Sequence, residues 1–93
     1  MSLKFEWDPN KACSNHGKHG ITFDDAKTVF NDPFFITFLD IEHSQDEERY
    51  ITLGMSTDQR LLMIAHTERE EIIRIISARK ATKNERRVYE EAE

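Results

Sequence analysis

The first part of the chain shows a strand pattern followed by a helix pattern. Residues 3–7 (LKFEW) alternate apolar and polar side chains, which is the period of a half-buried strand. Asp8 and Pro9 then supply an N-cap and a proline at the first helical position. A first helix is therefore predicted from Pro9 to about residues 17–18, with Gly20 as its stop.

A short second helix is predicted to follow. Thr22 and Asp25 form a weak capping box, because an aspartate reaches back to the N-cap less well than a glutamate does. Ala26, Val29 and Phe30 then lie on one face at helical spacing, and Asn31-Asp32-Pro33 ends the helix.

The middle of the chain changes from helical to strand period. Its four runs rich in β-branched and aromatic residues are joined by polar links too short to hold crossover helices. Neighbouring runs should therefore pair antiparallel, and the last three should form a meander. The predicted strands are Phe34 to Leu39, Arg49 to Met55, Leu61 to Thr67 and Glu71 to Ala78.

The last element and the order of all elements predict the fold class. Thr82 and Glu85 form a good capping box, so a final helix is predicted from about Lys83 to Ala92. The order β-α-α-β-β-β-β-α over residues 1–93 indicates a single α+β domain. We expect a small antiparallel sheet with its helices packed on one face, which leaves the other face with little to cover it.

Two polar side chains interrupt the apolar runs of the predicted strands. His66 follows five apolar residues, and Arg74 lies between two pairs of isoleucines, so each would need a partner if it were buried. Structural explanations stay open for both. A strand histidine is often a hydrogen-bonded core or edge residue, and Arg74 fits the solvated side of an amphipathic strand.

The hairpin between the last two predicted strands decides whether these two residues can cooperate. A three-residue loop, Arg69 to Glu71, places His66 directly across from Arg74 on the same face, whereas a loop one residue shorter sends them to opposite faces. The sequence lacks the Asn-Gly or Asp-Gly pair of the shorter turn, which favours the longer loop. We expect His66, Arg74 and Arg79 to share an exposed face.

Charge is segregated along an acidic chain. The net charge is −5, and residues 22–71 carry twelve acids and four bases, yet residues 72–87 hold six Lys and Arg against one acid. This cationic strip crosses the start of the last predicted helix, where free N–H groups and cations favour a phosphate. An ordinary solvated face or an acidic protein partner would fit as well. The cations at this corner are Arg79, Lys80 and Lys83.

A third candidate lies at the end of the first helix. Lys18, His19 and Gly20 are fully explained as a C-cap, since a cation and a glycine both suit a helix terminus. A metal site is not indicated, because His16 and His19 have only Cys13 as a further soft ligand nearby.

The sequence also bears on the class of chemistry and the compartment. It holds no phosphate loop, nucleophile elbow or HExxH motif, so an enzyme would have to use histidine, arginine and lysine. Such side chains point to phosphoryl chemistry on RNA, which brings its own nucleophile, the 2′-OH. One cysteine, no signal pattern and no apolar run long enough for a membrane span favour the cytoplasm.

Several separated motifs closely resemble the BrnT family of bacterial toxins, over residues 5–91. In chain order they are Phe5-Glu6-Trp7-Asp8-Pro9-x-Lys11-x-x-x-Asn15-x-x-Lys18-His19-Gly20, Phe23, Ala26 and Val29-Phe30 with Asp32-Pro33, Glu48-Arg49-Tyr50-Ile51-Thr52-Leu53-Gly54, His66-Thr67-Glu68, Arg74-Ile75-Ile76-Ser77-Ala78-Arg79 and Thr82-x-x-Glu85-Arg86-x-x-Tyr89.

The resemblance implies a RelE-like fold and a ribonuclease toxin of a type II toxin-antitoxin pair. It also implies a BrnA-type antitoxin, a ribbon-helix-helix protein that neutralises the toxin and carries the complex to operator DNA. RelE-like ribonucleases generally need no metal, so no cofactor is expected.

The mechanism expected from this combination is attack of a ribose 2′-OH on the adjacent phosphorus. His66 would be the general base or acid, because an unperturbed histidine titrates near neutrality. Arg74 and Arg79 would stabilise charge on the phosphoryl oxygens. The residues expected to hold RNA are Arg69, Lys80 and Lys83, with Lys18 and His19 as a reserve pair for either role. A non-catalytic module that binds nucleic acid or protein stays open as the alternative.

Overall fold

The computed structural model describes residues 3–92, which form a five-stranded sheet and three α-helices. Short 3₁₀ turns at Thr28–Asn31 and Ile41–His43 follow the second helix and the second strand. The predicted α+β class is confirmed. The elements are β1 (Lys4–Glu6), α1 (Pro9–His19), α2 (Phe23–Lys27), β2 (Ile36–Leu39), β3 (Arg49–Met55), β4 (Leu61–Arg69), β5 (Ile72–Lys80) and α3 (Lys83–Glu91).

Each helix begins at the capping residue that the sequence indicates. The Asp8 carboxylate accepts a hydrogen bond from the Asn10 N–H at 2.8 Å, and the Thr22 hydroxyl accepts one from the Asp25 N–H at 3.0 Å. These side chains satisfy N–H groups that have no partner within the helix. At the other end of α1, Gly20 takes a left-handed conformation with φ 70° and closes the helix.

The strands are arranged in the order β1-β5-β4-β3-β2. Strands β2 to β5 form an antiparallel meander, as predicted, whereas β1 pairs parallel with β5. The expectation of a purely antiparallel sheet is therefore wrong at this edge. Since two helices and three strands separate β1 from β5, no tight turn forces the two strands to run in opposite directions.

The β4–β5 hairpin differs from the predicted three-residue loop. It turns over two residues, Glu70 and Glu71, whose φ angles are 52° and 70°. Positive φ at both central residues is the conformation of a type I′ turn, which matches the twist of the strands. The resulting register pairs His66 with Ile75 instead of Arg74, so His66 and Arg74 point to opposite faces.

An extra residue in β5 then changes the side to which the rest of the strand points. His66 pairs with Ile75 while Ala65 pairs with Ser77, so Ile76 has no partner of its own and forms a bulge. Without it, residues 74 and 79 would point to opposite faces because five positions separate them. With the bulge, Arg74 and Arg79 lie on the same face of the sheet.

The helices cover both faces, which corrects the prediction that they all pack on one. Residues of α1, α2 and the first 3₁₀ turn build the main core with one face of β4 and β5. Leu53, Leu61 and Tyr89 are buried but lie outside that core cluster. Helix α3 packs on β3 and is tied to Arg79, which leaves β5 on the opposite face.

Candidate functional site

His66 is enclosed in the main core and has no exposed surface. Its Nε2 lies 2.7 Å from the Thr52 hydroxyl, and the rings of Phe30 and Tyr50 pack on it at centroid distances of 5.3 and 5.9 Å. Burial lowers the pKa of His66 to about 4, so the imidazole is neutral at pH 7. The prediction that His66 shares an exposed face with Arg74 and Arg79 is wrong.

Arg79 fastens α3 to the sheet. Its guanidinium donates two hydrogen bonds to the Glu85 carboxylate, at 2.8 and 2.9 Å, and Glu85 closes the capping box by accepting from the Thr82 N–H. The hydrogen bond with Glu85 raises the pKa of Arg79, and the same contact lowers the pKa of Glu85. Both arms of the guanidinium are thus occupied by a carboxylate.

Arg74 and Arg69 lie together on the face opposite the main core. Arg74 donates to Glu6 on the neighbouring strand, and Arg69 donates to Glu47 in the loop before β3. All four side chains are at least two-fifths exposed. Exposed pairs of this kind contribute about 0–1 kcal/mol, so a phosphate could replace either carboxylate at small cost.

Lys80 and Lys83 stand at the corner between β5 and α3. Both are exposed, and neither forms an ion pair within the part of the chain that the structure describes. They are available to an anion on an open surface, outside the two cavities described below.

Asn15 joins α1 to the edge of β5 beyond the point where β1 ends. Strand β1 covers β5 only at residues 72–74, which leaves the backbone of Ala78 without a strand partner on that side. The Asn15 amide replaces that partner. Its Nδ2 donates to the carbonyls of Ala78 and Ile21 at 2.9 and 3.0 Å, and its Oδ1 accepts from the Ala78 N–H at 3.0 Å.

A groove of about 310 Å³ runs along this seam between α1 and β5. We call it the edge groove. Lys18 and His19, the reserve pair of the sequence prediction, line it about two turns beyond Lys11. The residues that shape it are Lys11, Ser14, Lys18 and His19 from α1, and Ile76 and Ser77 from the bulge of β5.

The edge groove continues onto the open face of the sheet. A second cavity, which we call the face cleft, shares Lys11 and Ile76 with the groove and extends to Arg49 and Arg74. The side chains of Lys11, Lys18 and Arg49 have no ion-pair partner among residues 3–92. The groove and the cleft together form a path lined by four cations, and the cleft is also lined by Asp46 and Glu47.

Sequence reasoning missed one histidine of this path. His43 lies in the 3₁₀ turn after β2 and lines the face cleft. Its Nδ1 is 2.8 Å from the Asp40 carboxylate, and its side chain is 61% exposed. The sequence signal for this pair was the position of Asp40, three residues before His43 in a short polar link.

No group of three or more His, Cys, Asp and Glu side chains within residues 3–92 is arranged to hold a metal ion. None of the helices in that range has the length and apolar character needed to cross a bilayer.

Comparison with known proteins identifies the family. The family model for the ribonuclease toxin BrnT of type II toxin-antitoxin systems matches residues 7–85, which include α1, α2 and strands β2–β5 in full and the first turn of α3. The chain belongs to the BrnT toxin family.

A solved member of the BrnT family has a similar fold. The crystal structure of the Brucella abortus ribonuclease toxin BrnT, at 1.1 Å resolution, superposes with a TM-score of 0.67. The match covers 88% of this chain and 100% of that chain, at 20% sequence identity. No curated protein sequence matches the chain.

Proposed function

We propose that the protein is an endoribonuclease toxin whose RNA substrate binds along the edge groove and the face cleft. The observation that carries the proposal is the cationic path itself. Lys11, Lys18 and Arg49 have no acidic partners there, and Arg74 has only an exposed one. A sugar-phosphate backbone is the ligand that a line of such cations favours.

The same path supplies groups for proton transfer. His19 lies at the C-terminus of α1 and lines the groove beside Lys18. The reaction would be attack of the 2′-oxygen on phosphorus, with Arg74 stabilising charge on the phosphoryl oxygens. This reaction needs no metal, since the nucleophile and the leaving group both belong to RNA.

We assign RNA contact to Lys18, His19, Arg69 and Arg74, and structural roles to His66 and Arg79. The enclosed, neutral ring of His66 cannot reach a substrate on the open face, and Arg79 is held by Glu85. Lys80 and Lys83 would contact RNA that extends beyond the groove toward α3.

The proposal extends to a partner and a cellular effect. As a toxin of a type II pair, the protein would be neutralised by an antitoxin that covers the cationic path, and we propose a ribbon-helix-helix protein of the BrnA type. Operator DNA would then be bound through the antitoxin alone. Cleavage of messenger RNA in the cytoplasm would inhibit translation.

A test of the groove uses two histidines of the same helix. His19→Ala and Lys18→Ala should each lower the rate of transcript cleavage about tenfold or more, through lost proton transfer and lost phosphate contact. The rate is measured with purified protein, with EDTA present, on a transcript that is free or bound to ribosomes. His16→Ala is the matched control, because His16 is exposed on α1 but does not line the groove.

The outcomes separate the two classes of function. If His19→Ala and Lys18→Ala cleave RNA at the wild-type rate, the edge groove is not part of the active site. If the wild-type protein leaves RNA intact yet binds it, or binds only the antitoxin, the non-catalytic module is the correct alternative. Cleavage products with 2′,3′-cyclic phosphate and 5′-hydroxyl ends would support attack by the 2′-OH.

A further inference from the structure

The loop between β2 and β3 presents a histidine on a rigid base. The Asp40 N–H donates to the Arg49 carbonyl at 2.7 Å, which extends the β2–β3 ladder by one more pair. The Ser44 hydroxyl donates to the Asp40 carbonyl at 2.5 Å and accepts from the Arg49 N–H at 2.9 Å. These bonds close the neck of the loop and fix the 3₁₀ turn that carries His43.

The Asp40 carboxylate orients the imidazole. Only 14% of the Asp40 side chain is exposed, whereas His43 is 61% exposed. If the imidazole Nδ1–H donates to Asp40, Nε2 keeps its lone pair and is free to accept a proton. A histidine held by a carboxylate on one nitrogen and open on the other is the arrangement of a general base.

The surroundings of His43 are those of a phosphate site. The charged groups that line the face cleft with it are Lys11, Asp46, Glu47, Arg49 and Arg74. Three are cations, and Arg74 comes from the far strand of the meander. A phosphodiester bound to these cations would lie in the same cavity as the imidazole.

We propose that His43, positioned by Asp40, is the general base of RNA cleavage in the face cleft. This inference rests on the proposed function. Nε2 takes the proton of the ribose 2′-OH, and O2′ forms a bond to phosphorus. The bond from phosphorus to O5′ breaks, and the leaving O5′ takes a proton from His19, which regains one from solvent. The His43 imidazolium then returns its proton to solvent, so the step needs no further reactant.

The test compares His43→Ala with Asp40→Asn and with the exposed control His16→Ala. His43→Ala should lower the cleavage rate by about 10²-fold to 10⁴-fold. The rise of the wild-type rate with pH in the neutral range should disappear in this variant, and added imidazole should restore part of the activity. Asp40→Asn should give a smaller loss, because it removes the orienting charge and keeps the base.

A binding measurement separates chemistry from folding and affinity. An RNA oligonucleotide with 2′-O-methyl ribose at every position cannot be cut, and its dissociation constant should change by no more than about threefold in His43→Ala. Circular dichroism should match the wild type, because most of the His43 side chain is in solvent.

Three results would overturn the inference. If the wild type cuts RNA and His43→Ala cuts equally fast, or keeps the wild-type pH profile, His43 is not the base and the proposed function survives. If the activity lost in His43→Ala is matched by an equal loss of binding, His43 only holds RNA. If the wild type does not cut RNA at all, the proposed function fails and this inference fails with it.

Discussion

Replacing Asn15 with alanine should lower the free energy of unfolding by about 3 kcal/mol, because it leaves buried backbone groups without partners. The Asn15 side chain is 94% buried and makes all three of its hydrogen bonds to backbone atoms of Ile21 and Ala78. Water cannot replace them without opening the seam between α1 and β5. Urea unfolding followed by circular dichroism measures the change.

Two further variants make this prediction specific. Asn15→Asp keeps the size of the side chain but places one carboxylate oxygen against two carbonyls, so it should destabilise at least as much as alanine. Asn10→Ala changes an exposed asparagine of the same helix and should alter stability by no more than about 0.5 kcal/mol. Wild-type stability in Asn15→Asp would show that the amide is not the edge partner of β5.

The seam that Asn15 closes is also a wall of the edge groove. Lys18 and His19 stand on α1, and Ile76 and Ser77 stand on β5. A variant that loosens the contact between these two elements should therefore lose RNA cleavage before it loses its global fold. The hydrogen bonds of Asn15 therefore stabilise the fold and also hold the wall of the candidate site in place.

Local signals made most of the fold predictable. The caps at Asp8, Thr22 and Thr82 act over two or three residues, and each sets a helix start without help from the rest of the chain. The faces of β5 could not be predicted, because two features set them. Glutamates occupy the left-handed positions of the turn, and the bulge at Ile76 carries no glycine or other marker.

The same two features explain why only part of the candidate site was predicted. Lys18, His19 and Arg74 were identified from motifs and lie on the path, since a helix terminus and an exposed strand residue keep their side chains in solvent. His66 was placed on the wrong face by the register. His43 became visible only once folding brought its loop beside Arg74, 31 positions later in the chain.

Lowering the pH from 7 to 5 should destabilise the wild-type protein by about 2 kcal/mol through His66 alone. Burial lowers the folded-state pKa of His66 to about 4, whereas a histidine in the unfolded chain has a pKa of about 6.5. Between these values the unfolded chain binds a proton at His66 that the folded protein does not. His66 therefore costs no stability above about pH 6.5, and the free energy of unfolding falls as the pH drops from 6.5 toward 4.

The measurement is the difference between two unfolding free energies, at pH 7 and pH 5, in wild type and in His66→Gln. Glutamine does not titrate and can still hydrogen-bond the Thr52 hydroxyl, so the fall in stability should be about 2 kcal/mol smaller in the variant. Effects of acidic residues, including Asp32 and Glu85, cancel in this comparison. The free energy of unfolding of His16→Gln, a change at an exposed site, should fall by the same amount as that of the wild type.

If the free energy of unfolding falls equally in His66→Gln and in the wild type, the imidazole of His66 is not held neutral in the folded protein. The folded protein would then accept the proton without loss, and the nearest acceptor for it is Glu68, whose Oε1 lies 4.0 Å from the His66 Nδ1. That Nδ1 has no hydrogen-bond partner among residues 3–92. A small movement of Glu68 would let its carboxylate pair with the charged His66 ring. If this contact is the cause, the protein with Glu68→Gln should again lose about 2 kcal/mol of stability through His66 between pH 7 and pH 5.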